Sequence, residues 1–272
     1  MKITLTEAAD ALLHGSSVFK ETRQIYAAFL RLLETGEVRA AEWRDNAWQV
    51  NPLVKELILW GFRNGVVQEV SGNFFDKDCL PLQHFTLESK VRIVPGGSSV
   101  RGGAYLAPGV VVMPPSYINI GAYVDSDTMI DSHVLVGSCA QIGKRVHLAA
   151  GVMIGGVLEP TQAMPVIVED DVFIGGNVGV FEGVVVKQGA VIGSGVVLNR
   201  ATPVFDNLTG KFLTANDQGI LEIPERAVIV PGGRPLQHGL GKDAGIQLQC
   251  PVLIKYRDAK TAAAVALNDV LR

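Results

Sequence analysis

An aliphatic residue recurs at every sixth position through the middle of this chain, and this period limits what the chain can fold into. The register breaks once, after Ile154, and every position in it is valine, isoleucine or leucine: Val100, Leu106, Val112, Ile118, Val124, Ile130, Val136, Ile142, Leu148, Ile154, Val168, Ile174, Val180, Val186, Ile192 and Leu198. Four residues after most of these positions lies a small or β-branched residue. The residue before that one is often glycine, asparagine or aspartate, which tolerate left-handed backbone dihedral angles. A six-residue period with two inward positions and a turn residue is typical of a hexapeptide parallel β-helix.

The repeat predicts a triangular solenoid with a continuous aliphatic core. Each hexad supplies one short strand and one corner, so three hexads form a coil of about 18 residues. The register above therefore gives roughly five coils, with backbone hydrogen bonds running from coil to coil. The pattern leaves the handedness open, because ordinary parallel crossovers are right-handed.

The chain divides into three predicted regions around this solenoid. Residues 1–99 are predicted to form a helical and mixed N-terminal domain, residues 100–203 the β-helix, and residues 204–272 a C-terminal region of strands closed by a helix. A terminal element that covers the last coil is expected, because an uncovered coil exposes strand edges. The interruption between Ile154 and Val168 should form an outward loop, which on a solenoid is where function concentrates.

Cap and turn signals in the flanking regions predict further elements. In the N-terminal region these are a Thr4–Glu7 capping box, stop glycines at Gly15, Gly36 and Gly65, a turn at Asp45–Asn46 between Trp43 and Trp48, and a helix start at Asn51–Pro52. After Pro203 the six-residue period is lost, and the next fifty or so residues alternate as strands around a glycine-rich segment. Asp258 is predicted to cap a final helix that reaches Arg272.

Composition argues against several classes of function. The formal net charge of −3 provides no basic field for nucleic acid. No run of about 18 apolar residues appears, and the amino end carries charged residues rather than the apolar core of a signal peptide. The cysteines Cys79, Cys139 and Cys250 are odd in number and widely spaced, so they predict reduced thiols of a cytoplasmic protein rather than a disulfide framework.

A smooth triangular prism has no deep cleft of its own, so we expect small-molecule sites in grooves between neighbouring prisms, which favours a trimer. Asp125 and Asp131 lie one hexad apart and therefore on adjacent faces, where one chain cannot join them in a close carboxylate pair. Asp131 stacks near Met113 and Ala149, one coil down and up, and so lacks a charged partner of that kind. Two interpretations stay open: Asp131 is a base at a subunit interface, or it is a solvated corner aspartate.

Two histidines, His133 and His147, lie in the coils. Trimeric β-helix hydratases hold zinc with three histidines, so a pair argues against a shared metal site, and no metal is predicted. His147 is either a base for activating an amine or hydroxyl group, or a hydrogen-bonded structural residue.

Several segments contain residue combinations that the six-residue repeat by itself does not require. They are Phe75–Lys77, Pro115–Asp125, Val136–Lys144, His147–Leu148, Gly155–Pro160 and Asp258–Thr261. Together they resemble the tetrahydrodipicolinate N-succinyltransferases of bacterial lysine and diaminopimelate biosynthesis, over nearly the whole chain. The resemblance implies a cytoplasmic homotrimer built on a left-handed β-helix.

The resemblance also implies a reaction and residues for it. Members transfer succinyl from succinyl-CoA to the amino group of ring-opened tetrahydrodipicolinate, giving N-succinyl-2-amino-6-ketopimelate and CoA. The substrate-contacting arginine of the family matches Arg92, and its substrate-binding aspartate matches Asp131. A guanidinium fork suits a dicarboxylate, and a carboxylate can hydrogen-bond the acceptor amine or accept its proton. We expect direct transfer in a ternary complex, with Cys139 packed rather than nucleophilic and no tightly bound cofactor besides the co-substrate succinyl-CoA.

One position departs from the family. Many members carry a glutamate, suggested as a second catalytic acid, at the position that matches Gly179, three residues before Glu182. Either that glutamate is dispensable or Glu182 substitutes for it, which makes Glu182 a second candidate catalytic residue. The residues that bind CoA are not assigned: Lys187, Arg200, Lys255 and Arg257 could meet its phosphates or could be solvated surface charges.

Two alternatives to succinyl transfer remain. An acetyl-CoA-dependent enzyme could act on the same acceptor, because no residue reads out the distal carboxylate of the donor. A non-catalytic β-helix scaffold could keep the fold; the motif around Asp131 argues against it, whereas Gly179 leaves room for it.

Overall fold

The computed structural model describes residues 3–15, 19–258 and 260–261, beginning with a small helical layer. The elements of this layer are α1 Leu5–Ala9, a π-helical turn Asp10–His14, α2 Phe19–Glu34, β1 Ala41–Arg44, β2 Ala47–Val50, α3 Pro52–Asn64, β3 Val67–Ser71 and β4 Phe74–Lys77, followed by a 3-10 turn Leu87–Ser89. Within the described part of the chain, no helix combines the length and the apolar character needed to cross a membrane.

Most of the predicted boundary signals in this layer are confirmed. Thr4 and Glu7 form the reciprocal capping box at the start of α1. Asp45 and Asn46 both take positive φ, at 50° and 61°, as a tight hairpin turn between β1 and β2 requires. Gly36 follows α2 with φ 72°, so that helix ends at a left-handed residue.

The other two glycines that follow helices do not adopt the left-handed conformation. Gly15 and Gly65 follow their helices with φ −87° and −69°, so neither is left-handed. A Cβ at Gly65 would lie 2.8 Å from Sγ of Cys79, which makes glycine necessary there for close packing rather than for its dihedral freedom.

Short strands then form the coils that the six-residue period predicts. They are β5 Arg92–Ile93, β6 Ser99–Val100, β7 Tyr105–Leu106, β8 Val111–Val112, β9 Tyr117–Ile118, β10 Tyr123–Val124, β11 Met129–Ile130, β12 Leu135–Val136, β13 Gln141–Ile142, β14 His147–Leu148, β15 Met153–Ile154, β16 Ile167–Val168, β17 Phe173–Ile174, β18 Gly179–Val180, β19 Val184–Val186, β20 Val191–Ile192 and β21 Val197–Leu198.

Every third strand pairs in parallel, and the resulting ladders are the three faces of a prism. The Asp131 face, named for the residue after β11, contains β5, β8, β11, β14, β17 and β20. The Tyr123 face contains β7, β10, β13, β16 and β19, and the Gly179 face contains β6, β9, β12, β15, β18 and β21. Asp125 follows β10 and Asp131 follows β11, which confirms that the two carboxylates lie on different faces.

The aliphatic register fills the prism. All of its members belong to one buried cluster and are at most 6% exposed. Removing each such side chain from water contributes about 1.5–3 kcal/mol, so this column dominates the stability of the coils. Two hydroxyls also lie inside: Ser116 and Thr128 each donate to a carbonyl and accept from an amide of the next coil, which satisfies their polar atoms.

The coil register extends past both ends of the predicted stretch. The later elements are β22 Val204–Asp206, β23 Lys211–Leu213, β24 Leu221–Ile223, β25 Ala227–Val230, β26 Gly233–Pro235, α4 Gly239–Asp243, β27 Gln247–Gln249 and β28 Val252–Tyr256. β24 pairs with β19 and β25 with β20, so Ile223 and Ile229, six residues apart, resume the inward register after an insertion. At the other end, β5 pairs with β8 and starts the Asp131 face at Arg92.

The last coil is covered by a strand. β28 runs antiparallel to β25 and also pairs with β22, which gives the open edge of the Asp131 face a partner. The predicted helix from Asp258 to Arg272 lies, beyond residues 260–261, outside the described residues. The division of the chain at residues 99 and 203 stays a prediction.

The helical layer docks on the prism through specific polar contacts. The guanidinium of Arg39 lies 3.6 Å from the ring centroid of Tyr123, and its Nε donates to Gln141. The loop between β15 and β16 packs against α3 instead of projecting freely, because the buried ammonium of Lys55 donates to the carbonyl of Ala163.

Candidate functional site

The backbone at Asp131 is held on both sides. Its N–H donates to the carbonyl of Leu148 at 2.9 Å, and its own carbonyl accepts from the Ser116 hydroxyl at 2.8 Å. Ile130 occupies the inward register, so the next side chain points outward from the prism. The carboxylate therefore stands on a rigid rung, with 31% of its side chain exposed.

A histidine on the same face contacts this carboxylate. Nε2 of His147 lies 3.1 Å from Oδ2 of Asp131, and the imidazole side chain is 15% exposed. In the ladder the residue directly above Asp131 is Ala149. His147 lies on the same next coil, two positions earlier in the chain, so its contact with Asp131 is diagonal and was not predicted from the spacing. Asp131 is thus paired within its own chain, contrary to the expectation from stacking.

The imidazole is itself confined. Its ring lies edge-on to Phe173, the next residue up the ladder, with ring centroids 5.0 Å apart and planes at 85°. Nδ1 of His147 is buried, and within the described part of the chain it has no hydrogen-bond partner.

Arg92 lies on the same face as Asp131. In the ladder Arg92 pairs with Val111, and Val111 pairs with Met129 in the strand that precedes Asp131. Rungs of a parallel ladder are about 4.8 Å apart, so Arg92 lies about 10 Å below the rung of Asp131. The structure therefore brings the two predicted substrate-binding residues to one surface, on which the Arg92 residue is exposed.

Glu182 is placed elsewhere in the fold. It is an exposed turn residue between β18 and β19, at the corner where the Gly179 and Tyr123 faces meet. That corner is opposite the Asp131 face, so one chain does not bring Glu182 and Asp131 together. The two side chains are separated because successive hexads of the repeat lie on different faces of the prism, and Glu182 lies at the corner between the two faces that do not carry Asp131.

The cations considered for CoA differ in their surroundings. Lys187 is paired with Glu222 at 2.9 Å and Lys255 with Asp258 at 2.7 Å. Nη1 of Arg257 donates to the carbonyl of Asp171 at 2.9 Å. Arg200 is exposed at the Glu182 corner, with its backbone N–H donating to the carbonyl of Glu182.

The cysteines are buried and free of disulfides. Burial raises the pKa of the Cys139 thiol to about 12, so the reactive thiolate is disfavoured at neutral pH. Its Sγ contributes to the core between the coils and the helical layer, which confirms that Cys139 is packed.

A groove of about 500 Å³ on the Tyr123 face was not predicted from the sequence. It lies under the β1–β2 hairpin, and Arg39, Trp43, Asp125 and Lys187 are among its lining residues. Trp48 donates from its ring nitrogen to Glu169 at 3.0 Å, which fixes the hairpin as one wall. The sequence predicted the hairpin itself, from the Asp45–Asn46 turn between Trp43 and Trp48, but not the groove beneath it.

Comparisons with known proteins identify relatives over the whole chain. A family model described as the tetrahydrodipicolinate N-succinyltransferase N-terminal region matches residues 5–63, and one described as the hexapeptide repeat of succinyl-transferase matches residues 165–200. The 2,3,4,5-tetrahydropyridine-2,6-dicarboxylate N-succinyltransferase of Alkalilimnicola ehrlichii is 47% identical, covering 92% of this chain and 90% of the relative. The enzyme of the same name from Rhodopseudomonas palustris is 41% identical, covering 100% and 98%. A solved structure from Campylobacter jejuni, provisionally assigned as a 2,3,4,5-tetrahydropyridine-2-carboxylate N-succinyltransferase, is 16% identical with a TM-score of 0.47, covering 98% of this chain and 78% of that one.

Proposed function

Since this chain belongs to the tetrahydrodipicolinate N-succinyltransferase family, with a left-handed parallel β-helix as its fold, we propose that it catalyses the reaction for which its relatives are named. It transfers succinyl from succinyl-CoA to the amino group of ring-opened tetrahydrodipicolinate, in the diaminopimelate branch of lysine biosynthesis. The products are N-succinyl-2-amino-6-ketopimelate and CoA.

The presence of Arg92 and Asp131 on one face of the prism is the observation that carries this proposal. The acceptor has carboxylates at both ends and an amine near one of them. An arginine binds a carboxylate in a fixed planar geometry, and only two rungs of the ladder separate Arg92 from the strand that precedes Asp131. Arg92 accordingly binds a carboxylate of the acceptor, and the amine lies against Asp131.

Asp131 then acts as the base. The amine nitrogen bonds to the thioester carbon of succinyl-CoA as its proton passes to the Asp131 carboxylate. The C–S bond breaks as the tetrahedral intermediate collapses, and the proton returns to the departing CoA thiolate. Atoms and charge balance without an acyl-enzyme, which agrees with the buried, high-pKa thiol of Cys139.

The active assembly is a homotrimer with sites between prisms. One prism supplies the Asp131 face as one wall of such a site, and Glu182 lies at the opposite corner of the same chain. A neighbouring copy would supply the second wall and could bring its own corner to Asp131, which keeps Glu182 as a second catalytic candidate in the assembly. In such a groove Arg200, at that same corner, is the cation best placed for a CoA phosphate.

The donor is tested by incubating purified protein with tetrahydrodipicolinate and either succinyl-CoA or acetyl-CoA, and then weighing the products by mass spectrometry. A product heavier by one succinyl group supports the proposal. A faster acetyl product would replace the donor and keep the acceptor. An absence of both products at saturating substrates would favour the non-catalytic scaffold and overturn the proposal.

A further inference from the structure

The imidazole of His147 has one nitrogen available for hydrogen bonding. Nδ1 is buried and has no partner among the described residues, whereas Nε2 faces Oδ2 of Asp131 at 3.1 Å. Phe173 packs edge-on against the ring, with the ring centroids 5.0 Å apart.

This environment selects one tautomer. A hydrogen on Nδ1 would be a buried donor without an acceptor, and the bare Nε2 would then face a carboxylate oxygen, lone pair against lone pair. A hydrogen on Nε2 instead donates to Oδ2 of Asp131, and Nδ1 is left as an acceptor, which is less costly to bury unpaired. Of the two tautomers, the contacts therefore favour the one with its hydrogen on Nε2.

The hydrogen bond fixes the carboxylate as well as the imidazole. An aspartate carboxylate rotates readily about its terminal torsion, and a rotating carboxylate presents either oxygen in many directions. With Oδ2 occupied by His147, Oδ1 is the carboxylate oxygen left to meet a substrate amine. The backbone of Asp131 is already held by Ser116 and Leu148, and the hydrogen bond from His147 restricts the remaining side-chain torsions.

From this geometry we propose that His147 is a positioning residue for acyl transfer, which holds Asp131 with Oδ1 toward the acceptor amine. His147 takes no proton from the substrate. The N–H bond of the amine breaks at Oδ1, and the hydrogen bond from Nε2 to Oδ2 persists when the carboxylate becomes a carboxylic acid. The proposal rests on the proposed function, because it assigns the acceptor to the Asp131 face.

Two substitutions separate the hydrogen bond from the bulk of the ring. His147→Phe keeps an aromatic ring against Phe173 and removes the donor, so kcat should fall at least about tenfold while the KM for succinyl-CoA stays within about twofold. His147→Gln carries an amide N–H near the position of Nε2 and should restore most of kcat. His133→Asn is the matched control, since His133 is an exposed left-handed turn residue on the same coil, and asparagine tolerates that conformation.

A spectroscopic measurement tests the contact independently of turnover. In protein labelled with ¹⁵N-histidine, the His147 signals, identified by their absence in His147→Gln, should show the hydrogen on Nε2 at neutral pH. A hydrogen on Nδ1, or a folded His147→Phe with wild-type kcat, would overturn the inference. Inactivity of the wild type with every donor would instead overturn the proposed function, and the tautomer would still decide whether the contact exists.

Discussion

The ring of Phe181 lies over Gly179 on the outside of the prism. A Cβ at residue 179 would be 2.6 Å from Cε2 of Phe181, and one at Gly155 would be 3.0 Å from Cδ1 of the same ring. The phenyl group thus spans two glycines of adjacent coils on the Gly179 face. At the position where the family resemblance implies a glutamate, this chain has a glycine covered by an aromatic ring, so the difference concerns packing as well as charge.

Replacing Gly179 by glutamate should therefore not raise the activity by itself. We expect Gly179→Glu to lower the free energy of unfolding by about 1–3 kcal/mol, because the new side chain competes with Phe181 for space, and to leave kcat no higher than wild type. Combining it with Phe181→Ala should recover part of the stability. Urea titration and initial rates measure both effects, with Gly179→Ala as the size control. A single variant that is both stable and faster would show that the missing glutamate alone limits activity.

Glu182 can be tested as a residue that acts across subunits. We expect Asp131→Asn and Glu182→Gln each to reduce activity as pure proteins. If every site takes Asp131 from one copy and Glu182 from its neighbour, then mixed trimers contain some sites with both residues intact. Co-refolding the two variants should regain a fraction of the wild-type rate. Full activity of Glu182→Gln alone would instead remove Glu182 from the list of catalytic candidates.

Arg92 should determine the affinity for the acceptor. Arg92→Lys keeps the charge but loses the two-pronged hydrogen bonding to a carboxylate, so the KM for tetrahydrodipicolinate should rise about tenfold or more. The KM for succinyl-CoA should not change, because the CoA groove is expected to lie elsewhere. Steady-state kinetics with each substrate varied in turn give both constants. Arg63→Lys, in an exposed ion pair with Glu159, is the matched control; an effect on both KM values would contradict the assignment.

Ser116 links the stability of the coils to the site. Its buried hydroxyl donates to the carbonyl of Asp131 and accepts from the N–H of Val134, so Ser116→Ala leaves two buried backbone groups without that partner. We expect a loss of about 1–3 kcal/mol in the free energy of unfolding, measured by chemical denaturation. The exposed Ser194→Ala should cost less than about 0.5 kcal/mol. Equal effects of the two would show that the internal hydroxyl does not bridge the coils.

The coils could be predicted from the six-residue period because every inward position lies in the same aliphatic core and therefore carries the same type of residue. The aliphatic register fills the core in the structure, as the repeat alone predicts. The extra coil was not predicted because a stretch without the six-residue period separates Leu198 from the next members of the register, Ile223 and Ile229, and a period cannot be followed across such a gap.

The site was only partly predictable for a related reason. Spacing by whole coils identifies residues stacked directly above one another, but His147 contacts Asp131 diagonally, from the next coil and two positions along the strand, with its ring edge-on to Phe173. The burial of Lys55 against the Ala163 carbonyl likewise joins a helix to a loop far away in sequence. Neither contact leaves a local pattern, so both required the three-dimensional structure.

The most direct test of the account is acceptor-dependent release of CoA thiol from succinyl-CoA, measured for the wild type and for Asp131→Asn. Asparagine keeps the shape of the side chain and an oxygen for the histidine hydrogen bond, but it cannot take the proton of the amine. The account predicts clear turnover for the wild type and a kcat that is at least about a hundredfold lower for the variant. A folded Asp131→Asn protein that releases thiol at the wild-type rate would contradict the placement of the chemistry on this face.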